Sequence, residues 1–155
     1  MPNVWDCMNE VGGDHVTAIY IQPAAGVPLS PDVIDGLLQA NSEFIKTADA
    51  FIAQKWMDTT DINKVNEFAS ANSGFTPDWK YIGDRNGAAL EYGLGTGTNV
   101  YNDPESLKQY AAVVCSYLID LDYANQSSYL SNWQAYCDEI DTVTAFTSEE
   151  EDTLA

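Results

Sequence analysis

Between residues 103 and 143 the apolar positions fall into two stripes of helical period. Leu107, Tyr110, Ala111, Val114, Tyr117, Leu118 and Leu121 recur at three- and four-residue steps, which line one face of a 3.6-residue spiral. The start of this helix is well marked: Asp103 suits the orphan amides of a first turn, Pro104 presets the first helical dihedral, and Glu105 matches the positive end of the dipole. Asn125 is the expected stop. A second helix opens at Ser127 or Ser128 and repeats the pattern with Tyr129, Leu130, Trp133, Tyr136, Cys137 and Ile140. A link this short predicts two adjacent, antiparallel helices with facing apolar stripes.

Upstream, Ser30-Pro31-Asp32 is a second helix start. Ile34, Leu37, Leu38, Phe44, Ile45, Ala48, Phe51, Ile52 and Trp56 then keep to one side, predicting a central helix of roughly 40 Å, with Gly36 and Asn41 as its weak points. A cap near Asp58 to Asp61 and the apolar set Ile62, Val65 and Phe68 predict a shorter helix ending near Asn72 to Gly74. The rest reads differently. His15 to Gln22, Trp79 to Ile82 and Ala88 to Tyr92 have strand-like composition, and Asn86-Gly87 suits a tight hairpin turn, so a small antiparallel sheet is expected. The first dozen residues, with Trp5, Cys7 and Met8, show no assignable period. Gly93 to Asn102 reads as a loop, and Ser148 to Asp152 as a solvated acidic tail.

The fold class expected is therefore α+β: a helix-dominated single domain over residues 1–146, with a long central helix, a C-terminal antiparallel helical hairpin and a small antiparallel sheet, followed by an acidic C-terminal tail over 147–155. A chain of 155 residues is long enough to bury such a core without disulfides.

Charge changes the picture more than composition does. The net charge is −18, from 24 acidic residues against five lysines and one arginine. The excess is uneven, at −6 over residues 1–60, −2 over 61–100 and −10 over 101–155. Such a field repels nucleic acid phosphates and anionic lipid. It is compatible with high solubility, with docking on a basic protein surface, with imitation of nucleic acid, and with a salt-adapted proteome.

Three cysteines, Cys7, Cys115 and Cys137, form no CxxC pair and are expected as buried thiols in a reducing compartment. Residues 1–13 carry no basic residue and no apolar run, so a secretory signal is not expected. No stretch is long enough to span a membrane. The sequon Asn125 to Ser127 accordingly carries no weight.

Candidate chemistry is thin. Gly93, Gly95 and Gly97 stand where glycines cradle phosphate, but a dinucleotide fingerprint needs glycine where Thr98 stands, and a P-loop needs a lysine. Asp103 would also oppose a phosphate there, and a connector is the reading adopted. Asp120 and Asp122 begin like a calcium loop, yet Ala124, Asn125 and Ser131 occupy the positions that an EF-hand gives to an oxygen ligand, a glycine and an acid. His15 is the only histidine, so zinc binding would have to recruit the dispersed cysteines, and a hydrolase would need His15 as base beside one of those thiols. Asp14 faces the other way if residues 15–22 form a strand. Carboxylate-only chemistry of the glycosidase kind stays open, with no pair of acids singled out.

Four Trp, nine Tyr and five Phe, with few accompanying cations, point to packing and protein contact rather than base stacking; Tyr123, Tyr129 and Tyr136 are the contact candidates. No catalytic, cofactor-binding or metal-binding residue is assigned and no cofactor is expected. The expected function is that of a non-enzymatic structural or accessory subunit acting through protein contacts in a larger assembly, a virion or a multi-subunit complex, in the cytoplasm or within a virus particle. The expected partners are other protein subunits, a basic protein surface among them, with homo-oligomerisation left open and no direct contact with nucleic acid or membrane. The alternatives are an acidic nucleic-acid mimic that inhibits a basic DNA- or RNA-binding protein, and a small enzyme with carboxylate chemistry.

Overall fold

The computed structural model describes residues 2–21, 26–28, 30–54, 59–72, 78–82 and 104–154. In chain order the elements are α1 (Pro2–Gly12), a 3-10 turn (Gly13–His15), α2 (Pro31–Ala40), α3 (Ser42–Thr47) and β1 (Phe51–Gln54). They continue with α4 (Thr59–Ala71), β2 (Trp79–Ile82), α5 (Pro104–Leu121), a second 3-10 turn (Tyr123–Asn125) and α6 (Gln126–Leu154). Helix dominates the described residues. The chain divides into two compact units, one made of Met1–Ile19 and Ile82–Ala155, the other of Tyr20–Tyr81.

In the first unit α1, α5 and α6 each pack on the other two. The shared core is made by Val4, Cys7 and Val11 from α1, by Tyr110, Ala111, Val113, Val114, Cys115 and Leu118 from α5, and by Tyr129 and Ile140 from α6. Burying such side chains is worth roughly 1.5 to 3 kcal/mol each, and this is what holds three otherwise marginal helices together. Two contacts set the register of α5 on α6. Lys108, in the first half of α5, reaches Asp141 in the middle of α6 at 2.8 Å, and Tyr129 near the start of α6 donates to Asp122 just past the end of α5 at 2.6 Å. The start of one helix thus lies beside the middle of the other. Asp103, with the cap expected of it, and the loop Gly93 to Asn102 lie outside the described residues.

α1 is a helix where no period was assigned. Val4, Cys7, Met8 and Val11 are spaced three, one and three residues apart, and the buried ones among them face α5 and α6. Over its described part, His15 to Ile21, the expected strand His15 to Gln22 does not form. Gly13–His15 is a 3-10 turn, and among the described residues those after it have no ladder partner, although Val16 is extended (φ −129°, ψ 134°). Strand propensity expresses itself only against a neighbouring strand, and this segment is held instead by the Trp5 Nε1 donating to the Ala18 carbonyl at 3.1 Å.

The expected acidic tail also differs in its backbone, which continues as α6 through Leu154. Ala and Glu are good helix formers, and the run Glu149 to Glu151 follows a helix already nucleated.

The second unit corrects two further expectations. The long central helix is broken into α2, α3 and β1. Asn41 ends α2 by turning its own side chain back, with Nδ2 donating to the Leu37 carbonyl at 2.8 Å. Thr47 likewise bonds the carbonyls of Glu43 and Phe44 at the end of α3. Phe51 and Ile52, aromatic and β-branched, then extend into β1. The described sheet is parallel rather than antiparallel: β1 pairs with β2, the Phe51 amide donates to the Asp78 carbonyl at 2.8 Å, and α4 is the crossover between the strands. Parallel neighbours need such a crossover.

Ile34, Leu38, Ile45 and Phe68 form the core of this unit, with Ile21, Phe51 and Val65 packed against it. The remaining expected strand, Ala88 to Tyr92, and the Asn86-Gly87 turn lie outside the described residues, as does Trp56.

Candidate functional site

One cluster of polar groups in the first unit lies at the corner where α1 ends and α5 passes into α6. Gly12 permits that corner sterically: a Cβ there would stand 2.4 Å from the Val16 Cβ. Gly13 follows with φ +54°, a left-handed conformation that glycine adopts without penalty. Asn132 on α6 donates to the Val11 carbonyl at 3.0 Å, satisfying an acceptor at the end of α1.

Beside this turn the Asp122 carboxylate accepts from the Tyr129 hydroxyl at 2.6 Å and from Asn125 Nδ2 at 2.7 Å. These two bonds, Tyr129 first, hold the Asp122 carboxyl below its ordinary range, with the field of His15 adding in the same direction. Burial, and then the hydrogen bond to Asp122 and the Asp122 charge, push the Tyr129 phenol up to about 12. The His15 ring stands edge-on to Tyr129, with centroids 6.0 Å apart and planes at 84°. The constellation is a donor tied to an acceptor, with the phenol kept protonated at neutral pH. Its evident work is to pin the α5–α6 link.

The thiols lie two turns further along α6. Cys7 bonds Tyr136, whereas His15 meets Tyr129, seven residues earlier or roughly 10 Å along the helix axis. The structure therefore does not bring His15 to Cys7. With the registers above, Cys7 on α1, Cys115 on α5 and Cys137 on α6 stand at one level of the three helices, one thiol from each. All three are free. Desolvation pushes Cys7 up to about 12 and raises Cys115 and Cys137 as well, Lys108 partly opposing the rise at Cys137. At neutral pH these are protonated thiols, poor nucleophiles and poor metal ligands. Among the described residues no group of three His, Cys, Asp or Glu side chains is placed to hold a metal ion.

Lys108 is held by Glu105 at 2.7 Å and by Asp141 at 2.8 Å, and the Asp141 bond is the larger cause of its raised pKa. Asp120 is exposed at the end of α5, and the Asp122 carboxylate is engaged by Tyr129 and Asn125. The glycines Gly93, Gly95 and Gly97 fall outside the described residues.

Of the three tyrosines read as contact candidates, Tyr129 is 1% exposed and belongs to the core, Tyr136 is half-buried against Cys7, and Tyr123 is 73% exposed. Leu130, read from its period as buried, is 42% exposed.

In the second unit Lys64 bridges Asp35 at 3.0 Å and Glu67 at 3.6 Å, and Trp79 Nε1 donates to Asn66 Oδ1 at 3.0 Å while its ring tilts against Phe51. An open concavity of about 600 Å³ runs along α4, lined by Asn63, Asn66, Glu67, Ser70 and Ala71. Among the described residues its lining comes from this one helix.

Among the described residues no helix is long and apolar enough to cross a membrane. Compared with family models, with curated proteins and with solved structures, the chain matches none.

Proposed function

We propose that this chain is a non-enzymatic structural or accessory subunit that acts through protein–protein contacts within a larger assembly, such as a virus particle or a multi-subunit complex. The observation that carries the reading is the contrast between its polar interior groups and its surface. The groups that chemistry would draw on are tied to one another, as Asp122 to Tyr129 and Cys7 to Tyr136. Large apolar side chains, Tyr123 on the 3-10 turn before α6 and Leu130 and Val143 along α6, stand exposed instead. Exposed anchors of this kind are the currency of interfaces. Free thiols in all three helices fit a reducing compartment, the cytoplasm or the interior of a particle.

The test is sedimentation of the untagged protein from an extract of its native source, with mass spectrometry of the fraction it occupies. A subunit travels with a large particle, and a chain that stays at the top of the gradient contradicts the reading.

One observation favours a second reading, an acidic mimic of nucleic acid that occupies a basic groove. Because α6 runs unbroken to Leu154, the acidic positions from Asp138 to Asp152 lie along one helical rod, over roughly 21 Å. A mimic would release its partner steeply between low and moderate salt, whereas contact through apolar anchors would persist.

A further inference from the structure

The outer face of α6 departs from the rest of the surface. About one residue in five of this chain is charged, yet none of the fifteen from Tyr123 to Cys137 is. Inward on that stretch are Tyr129 and the half-buried Trp133 and Tyr136. Outward, Tyr123, Ser127, Leu130 and Gln134 recur at steps of four, three and four, one stripe on the 3-10 turn and the helix it runs into, and all four are exposed. Small Ala124, Ser131 and Ala135 lie beside the stripe and leave room for a backbone to approach. These side chains stand exposed, so folding does not require this face to be free of charge.

Its surroundings are the opposite. The described parts of this unit hold thirteen Asp and Glu against one Lys, and that Lys108 is already engaged by Glu105 and Asp141. The stripe runs into the exposed Asp138 at one end, and exposed Asp120 stands near the other. A field of this sign repels nucleic acid and anionic lipid. It also opposes a second copy of the chain, because stacking the stripe on itself brings the acidic ends against acidic neighbours in either orientation.

We infer that the outer face of the 3-10 turn and α6 from Tyr123 to Gln134 is a docking surface for a segment of a different protein, apolar in its middle and carrying lysine or arginine at both ends. The uncharged stretch of fifteen residues is roughly 22 Å of helix, so the basic groups of the partner stand at least that far apart. Tyr123 and Leu130 supply the apolar anchors, and Asp120 and Asp138 the charged rim that speeds encounter and fixes orientation. The inference rests on the subunit reading above and names the surface and the partner chemistry.

The experiment places a photo-reactive benzoyl-phenylalanine at Leu130 of the full chain, irradiates it in the native extract, and sequences the cross-linked peptide. A synthetic copy of that peptide then serves as the binding probe for the wild-type, Leu130→Ser and Asp138→Lys chains. Both sites are exposed, and circular dichroism checks that the helices persist. The expected peptide is apolar with Lys or Arg on both sides; Leu130→Ser weakens it about tenfold at all salt concentrations. Asp138→Lys weakens it at low salt only.

A cross-link to a second copy of this chain, a peptide without flanking cations, or equal affinity for Leu130→Ser overturns the inference. If the chain sediments with an assembly yet position 130 cross-links to nothing, the docking face is wrong and the subunit reading stands. If the chain sediments alone, both fall.

Discussion

Gly12 shows how much one hydrogen in place of a methyl group decides. Its missing Cβ lets Val16 pass over the end of α1 at a distance no side chain tolerates. Gly12→Ala is expected to destabilise the protein by about 1 to 3 kcal/mol, as an overpacked site that backbone must relieve, and urea unfolding followed by far-ultraviolet circular dichroism measures it. Cys7 gives a second expectation. Burial pushes its thiol from the ordinary 9.0 up to about 12, so the folded state binds more protons between those values. Stability contributed by the neutral thiol is then complete below pH 9 and declines as pH rises toward 12. Cys7→Ser should flatten that alkaline decline in pH-dependent thermal melts. An unchanged slope would assign the decline to Tyr129 and Tyr136, whose phenols burial also raises. That Cys7 is buried was legible from its residue type, but the helices that bury it, α5 and α6, lie roughly a hundred positions away, and nothing local to Cys7 names them.

At the scale of elements, α5 was legible because eighteen residues repeat one apolar stripe between marked ends. α1 carried the same kind of signal in Val4, Cys7, Met8 and Val11, but over only three turns, too short for a period to stand out from a chance run. The central helix failed for a different reason: its stripe is real, and Ile34, Leu38 and Ile45 are buried as that stripe requires. Periodicity does not report where the backbone stops, however, and the side chains of Asn41 and Thr47 cap their own helices in a way that the apolar pattern does not register.

Leu130 failed in the opposite sense, falling within the apolar period yet lying outside the packed face. That exposure became the most informative feature of the site. Pairing between α5 and α6 yields a prediction of its own. Lys108 is the one Lys or Arg in the described part of the first unit and bridges Glu105 and Asp141. Lys108→Gln leaves two neighbouring carboxylates facing each other, so melting temperature should drop at low ionic strength and recover as salt is raised. A drop that salt leaves untouched would mean that the aliphatic stem, not the charge, holds the helices there.

For the whole molecule, net charge was the strongest statement of the sequence, and the structure gives it a place without giving it a partner. The acids surround α6 and the end of α5, while a charge-free face with Tyr123 and Leu130 lies among them. That combination, anchors inside a rim of one sign, is what directs the account to protein contact rather than to chemistry. The measurement that tests it most directly is hydroxyl-radical footprinting of the chain, free and within the fraction it sediments with. Tyr123 and Leu130 are expected to oxidise readily in the free chain and to be protected in the assembly. Equal oxidation of both residues in the two states would contradict the claim that this face is where the protein does its work.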